Sequence, residues 1–202
     1  QEKVNAWRKM VNKSLDSSPA GGQPNTWFYQ PALDLHMAQP LSEIQKWLEL
    51  PYSLVEKQQP NGSWTYVATS EGTTQFGESD DTSNGYTATS AFPVLYFARI
   101  TGDERLAEAG LKALAFLEQQ PLRPEGAQTW ELSLHVPDVL ASAWVVQAFV
   151  EGYRLTGETH YLDVAQRWAV AGLPFIYFWN ANDRPVMRYT TIPVFGATNY
   201  TY

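Results

Sequence analysis

Cysteine is absent from the 202 residues, which removes disulfides, thiolate metal sites and cysteine nucleophiles together. Long apolar runs are missing too. No stretch approaches the roughly 20 residues that a bilayer-spanning helix needs, so no integral membrane segment is expected. Basic charge is in deficit, with 14 Lys and Arg against 21 Asp and Glu and a formal charge of -7. Neutralising a polyanionic backbone needs a surplus of Lys and Arg, so no nucleic-acid partner is expected; a sulfated or uronate-rich glycan would need a local basic pocket. There is no Gly-rich phosphate loop, and the three histidines, His36, His135 and His160, lack zinc-site spacing. No cofactor and no metal is expected. Glu78, Asp80 and Asp81 form an acidic cluster to weigh for Ca²⁺, although generic clusters of this kind seldom bind it specifically. Gln1 is not an initiator Met and no charged-then-apolar leader follows it. Processing and an extracellular or periplasmic location are the expectation, with the cytoplasm as the alternative.

What is present is a folded-protein composition, 44% hydrophobic and 17% charged, in one expected domain over residues 1–202. A repeat dominates it. Residues 91–117 resemble residues 146–173, with Thr101-Gly102-Asp103 matching Thr156-Gly157-Glu158. Each copy reads as an apolar helix, a tight turn and an amphipathic helix. The turn has a mechanism: Gly102 and Gly157 take the left-handed conformation that ends a helix, and Asp103 or Glu158 puts negative charge on the next N-terminus. In the second arms, Leu106, Ala109, Ala113, Leu114 and Leu117 recur at helical spacing, and Leu162, Ala165, Ala169, Val170 and Leu173 follow with a one-residue slip. Hairpins are therefore expected at about 85–118 and 138–173, and a looser one at 4–59 whose second helix, 41–59, is interrupted near Pro51. After Leu173 an extended tail covers 174–202, where 186–195 is β-branched and Pro193 limits it to an edge or loop.

The hairpin with its TGDERLAEAGLKALAFLEQQ turn resembles those of six-hairpin glycosidases and of the toroid domains of heparinase-type polysaccharide lyases. That resemblance spans residues 41–173 and implies an all-α fold, helical hairpin repeats forming part of an α/α toroid, with the short extended segment at the C-terminal side. About three hairpins make roughly half of the six such a toroid holds, so the rest of a larger toroid, or another copy of the chain, is an expected partner. A second likeness lies in Gln58-Gln59-Pro60-Asn61-Gly62-Ser63-Trp64, which fits the Q-x-x-x-G-x-W motif of squalene and terpene cyclases. There Gln and Trp tie neighbouring helices together. Glu78-Ser79-Asp80-Asp81-Thr82-Ser83 resembles the acid motif of the same family, with Glu for its first Asp. The resemblance would make Asp80 the acid that protonates an alkene.

The candidate chemistry lies in long loops, which are more often functional than passive. Asp80 and Asp81 precede a helix starting near Asn84, where acidic and hydroxyl side chains cap free N–H groups, or act as acid, base or sugar-hydroxyl ligand. Glu131 would be the second carboxylate of a hydrolase pair, and their separation would decide retention or inversion. His135 suits proton transfer, and Asp138 reads as an N-cap. Equivalent toroid loops open on the same end, placing His135 and Asp138 near Asp80 and Asp81. In a lyase, Arg188 or Asn199 would neutralise a uronate while Tyr189 or His135 removes the proton. Loop aromatics, among them Trp64, Tyr66, Phe76, Tyr86 and Trp130, suit the apolar faces of sugars, whereas Trp144 and Trp168 read as core. A carbohydrate-active hydrolase or lyase with a carbohydrate substrate is the leading expectation. The alternatives are a non-catalytic helical scaffold or glycan-binding domain, and a terpene-cyclase-like domain.

Overall fold

The computed structural model describes Asn5 and residues 41–68, 71–129 and 132–176. The chain divides at Leu50/Pro51 into two units. Of the first, the described part is Asn5, helical, and the opening turns of α1 (Leu41–Lys57). The second holds everything else: α2 (Asn84–Thr101), α3 (Glu104–Glu118), α4 (Val139–Thr156) and α5 (His160–Gly172), with 3-10 turns at Glu71–Phe76 and Leu173–Phe175. Among the described residues the protein is all-α. An isolated antiparallel bridge joins Glu125 and Pro137, and no described helix is long and apolar enough to cross a membrane. The tail expected to be extended, 186–195, lies outside the described residues.

The two repeats are hairpins, and their turns work as the sequence implies. Gly102 (φ 71) and Gly157 (φ 79) are left-handed C-caps whose N–H groups return to Ala98 O and Tyr153 O at 2.8 and 2.7 Å. Asp103 caps α3 by accepting from Leu106 N at 3.0 Å, and Tyr52 Oη donates to its other oxygen at 2.6 Å. Glu158 does no such capping and lies beside His160 instead, 3.3 Å away. Pro51 does not interrupt α1, which runs through it to Lys57.

Helices α2 and α4 pack side by side, with α3 against α2 and α5 against α4. The division of labour follows composition. Most of α2 and α4 is apolar and buried, including Ala88, Ala91, Val94, Leu95 and Ala98 facing Ala141, Val145, Ala148 and Phe149. By contrast α3 and α5 expose charged faces, Glu104, Arg105, Glu108 and Lys112 in one, Asp163 and Arg167 in the other. Small residues set the spacing: a side chain on Gly85 would meet Ala141 Cβ, and one on Gly110 or Gly152 would strike Leu95 or Leu114. Leu95, Leu106, Leu114, Leu117, Phe149 and Trp168 are fully buried, and truncating any one to Ala would cost roughly 2–5 kcal/mol.

The register of α5 corrects the one-residue slip. Its buried positions are Val164, Ala165, Trp168 and Gly172. These match Ala109, Gly110, Ala113 and Leu117 of α3 with no slip, each 55 residues after its counterpart, as Gly157 is after Gly102. Leu162, Ala169, Val170 and Leu173, expected inside, are exposed. Trp168 fills the slot that Ala113 fills in the first repeat. Trp144, read as core, is only half-buried, between α2 and α4 with its ring 5.6 Å from Phe92.

The Gln58–Trp64 segment ties α1, the following turn and α3. Gln58 Nε2 donates to Gly62 O at 3.1 Å and to Ala109 O at 2.8 Å. Gly62 (φ 96) lies so close to the Lys112 carbonyl that a Cβ there would overlap it. Trp64 is buried, and its indole N–H donates to Leu54 O at 2.8 Å.

Candidate functional site

Two loops enter the N-termini of the paired helices, 58–83 before α2 and 119–138 before α4. In the first, the backbone of 64–66 pairs with 80–82: Tyr66 N donates to Asp81 O at 2.7 Å, Asp80 N to Tyr66 O at 3.1 Å, and Thr82 Oγ1 to Trp64 O at 2.6 Å. A turn closed by Asp81 N on Glu78 O, 3.3 Å, leads into this pairing and holds Asp80 at φ 71. A left-handed non-glycine residue is uncommon, though Asp tolerates it better than most. The turn aims Asp81 outward beside α2.

The second loop is clamped between the helix ends. Asn84, the first residue of α2, donates to Arg123 O at 2.8 Å and accepts from Glu125 N at 3.1 Å, while Gly85 N donates to Glu125 O at 2.9 Å. At the other end, Asp138 caps α4. Its carboxylate accepts from Leu140 N, Ala127 N, Gln128 N and Gln128 Nε2, all within 2.9 Å. Burial pushes the Asp138 carboxyl above its ordinary pKa, and the four donors pull against that. Gly126 (φ 75) passes so close to Ser83 Oγ and Leu134 O that no side chain fits. Residues 123–128 are thus held rigidly, and Glu125 is buried with a fixed backbone.

These two loops bring four ionisable groups together. His135 Nε2 lies 2.7 Å from Asp81 Oδ2, and His135 Nδ1 lies 3.0 Å from Glu125 Oε1. Arg123 grips the other Glu125 oxygen through Nε and Nη2, both at 2.7 Å. The Asp81 and His135 side chains are about half exposed, 45% and 50%, while Glu125 is 7% exposed. Glu125 first, and then Asp81, hold the imidazole pKa above its usual value by accepting from the protonated ring. His135 in turn holds the Asp81 carboxyl below its usual range, helped by Thr82 N donating to Oδ1 at 2.7 Å. The product is a solvent-facing carboxylate held toward its ionised form, beside an imidazole that a buried carboxylate behind it holds toward protonation.

Of the residues expected at a site, Asp81 and His135 meet. Asp80 stands exposed on the turn beside them and does not cap α2; that role belongs to Ser83, whose Oγ accepts from Tyr86 N at 3.2 Å. Asp138 bonds the 127–128 backbone, as a cap rather than as part of the cluster. Tyr86 packs edge-on against Tyr66, ring centres 5.7 Å apart, and burial raises its hydroxyl pKa. Trp64 and Tyr66, offered as sugar platforms, are buried and structural. Trp130, Glu131, Arg188, Tyr189 and Asn199 lie outside the described residues. Glu125 and Arg123 were not anticipated. Their signal was a charged residue set between Pro124 and Gly126, with an Arg two positions before it. Among the described residues no group of three or more His, Asp or Glu is arranged to hold a metal ion.

No protein-family model, curated protein or solved structure matches the chain.

Proposed function

We propose that the chain is a carbohydrate-active domain of toroid type, a glycoside hydrolase or polysaccharide lyase, with Asp81 as its working carboxylate and His135 as the proton-bearing partner. The observation behind this is the 2.7 Å contact between two exposed side chains from loops 54 residues apart, backed by the buried Glu125. The His135 hydrogen bond keeps Asp81 ionised and able to accept a hydrogen bond from a sugar hydroxyl or a water. The imidazolium itself is the nearest acid for a leaving oxygen. Among the described residues the fixed cation in the cluster is Arg123, already bound to Glu125, and Glu78 and Asp80 add negative charge nearby. That balance favours a neutral glycan over a uronate, and so hydrolysis over elimination. Protonating an alkene needs an acid sealed from water, and Asp80 is exposed, which weighs against cyclase chemistry.

A non-catalytic glycan-binding or scaffold role is favoured by a different observation: both ring nitrogens of His135 are engaged, as in a structural latch. The two readings separate in one experiment. The chain is assayed on a panel of neutral and uronate polysaccharides by new reducing ends and by the ultraviolet absorbance of unsaturated uronates, alongside Asp81→Ala and His135→Ala. Turnover reduced at least about 100-fold in both variants is expected, in line with loss of a general acid or base. Turnover unchanged in both sinks this site; glycan binding without turnover in any form favours the scaffold.

A further inference from the structure

The repeat shows how one hairpin receives the next, and that rule extends to the last described hairpin. Beside the apolar face already described, two adjacent residues of α4 fit it to the α2/α3 hairpin. Glu151 is buried and takes the Arg99 guanidinium of α2 at 2.7 Å, and Gly152 makes room for Leu114 of α3, whose Cδ1 would collide with any Cβ there. The receiving pair is therefore a cation on the first helix of a hairpin and an aliphatic side chain on the second.

The α4/α5 hairpin carries the same pair 55 residues on. Arg154 stands where Arg99 stands, each two residues before its Thr-Gly turn, and Ala169 stands where Leu114 stands. Arg154 is 56% exposed and shares Glu151 with Arg99, at 2.6 and 2.7 Å. Among the described residues, Glu151 is the carboxylate that these two guanidiniums share, one negative charge for two positive. Around Ala169, the exposed Leu162 and Val170 fall with it on one strip spanning about 100° of α5, with the exposed Gln166 between them and the exposed Leu173 just past the helix end. The buried strip of Val164, Ala165, Trp168 and Gly172 is separate from it.

We infer that this strip and Arg154 are a docking face for a further helix of the same repeat, entering as α4 enters on α2/α3. The geometry specifies its chemistry. It presents a carboxylate to Arg154, and the next residue is larger than glycine, because Ala169 leaves the volume that Leu114 fills in the first repeat. The inference does not depend on the catalytic reading.

A tandem chain tests it, with residues 119–173 duplicated directly after Leu173 and the remaining residues following. Thermal melting followed by circular dichroism should give one cooperative transition at or above the parent midpoint, since neighbouring repeats stabilise each other through their interface. Gly152→Leu in the added copy alone should raise the midpoint further, by about 2–4 °C, whereas the same change in the original copy should lower it. Arg154→Glu with Val170→Glu in the original copy should split the transition in two. In the undiplicated chain, Val170→Glu should leave the midpoint within about 2 °C, as an exposed surface change does. A duplicated hairpin that melts separately or fails to fold overturns the inference. So does a Val170→Glu change that strongly destabilises the parent, or a parent dimer in sedimentation that Val170→Glu dissociates, since a second copy would then be the occupant.

Discussion

Replacing His135 with Ala removes a side chain that bonds both loops, and the structure sets the size of the effect. The bond to Asp81 joins two half-exposed groups, so solvent screening limits it to roughly 0.5 kcal/mol, the middle of the range for surface ion pairs. The bond to Glu125 involves a buried carboxylate and is charge-assisted, but Arg123 still satisfies Glu125 after the change; about 1 kcal/mol is reasonable for it. The sum, roughly 1.5 kcal/mol, corresponds to a fall of about 3–6 °C in the melting midpoint for a chain of this size.

The pH dependence carries the sharper test. The folded pKa of His135 is raised above 6.5, so its contribution is fully present below that value and is lost as pH rises through the folded pKa. Asp81 is shifted the other way, below 3.8. Its contribution is present above that value and is lost as pH falls through the folded pKa. The wild-type advantage over His135→Ala should therefore peak between about pH 4 and 6.5 and shrink on both sides. Melting curves of the two proteins from about pH 3 to 9 measure it, and added salt should erode the Asp81 part more than the part due to buried Glu125. A difference that is flat with pH, or that grows toward alkaline pH, would refute the imidazolium bridge.

Two further outcomes follow from the loop geometry. Asp138→Ala strands the buried N–H groups of Ala127 and Gln128 and uncaps α4, and should cost about 3 kcal/mol or more by denaturant unfolding; a loss under about 1 kcal/mol would mean the clamp is not rigid. Asp80→Gly, at φ 71, should leave stability unchanged or raise it by up to about 1 kcal/mol, whereas Asp80→Val should lower it by about 1–2 kcal/mol.

What was legible in the sequence was local. Gly102, Asp103 and Gly157 act within a turn of where they stand, so hairpin limits could be read without knowing what lies across the core. Asp138 announced its cap in the same way. The errors arose where a partner distant in the chain decides. Matching leucine to leucine slipped α5 by one residue because Trp168, not a leucine, fills the buried slot, and only the packing of α4 reveals that. Trp64 was sorted with exposed loop aromatics although the Gln58–Trp64 spacing carried the tie that buries it.

Glu125 is the most instructive miss. Nothing near it in the chain makes a buried carboxylate favourable except Arg123; its burial depends on Asn84 and Gly85, some 40 residues earlier, which take up its backbone. Once that backbone is fixed, the side chain has Arg123 on one oxygen and His135 on the other, and the cost of burying its charge is offset. The same clamp that hides Glu125 leaves Asp81 and His135 facing solvent. Asp81 and His135 are nameable as acid and imidazole from their loops alone, but the upward pull on the His135 pKa comes first from Glu125, which neither loop motif contains. That order of dependence, from helix end to loop backbone to Glu125 to His135 to Asp81, is why Glu125→Gln should act on the site through the imidazole rather than through any contact with a bound sugar.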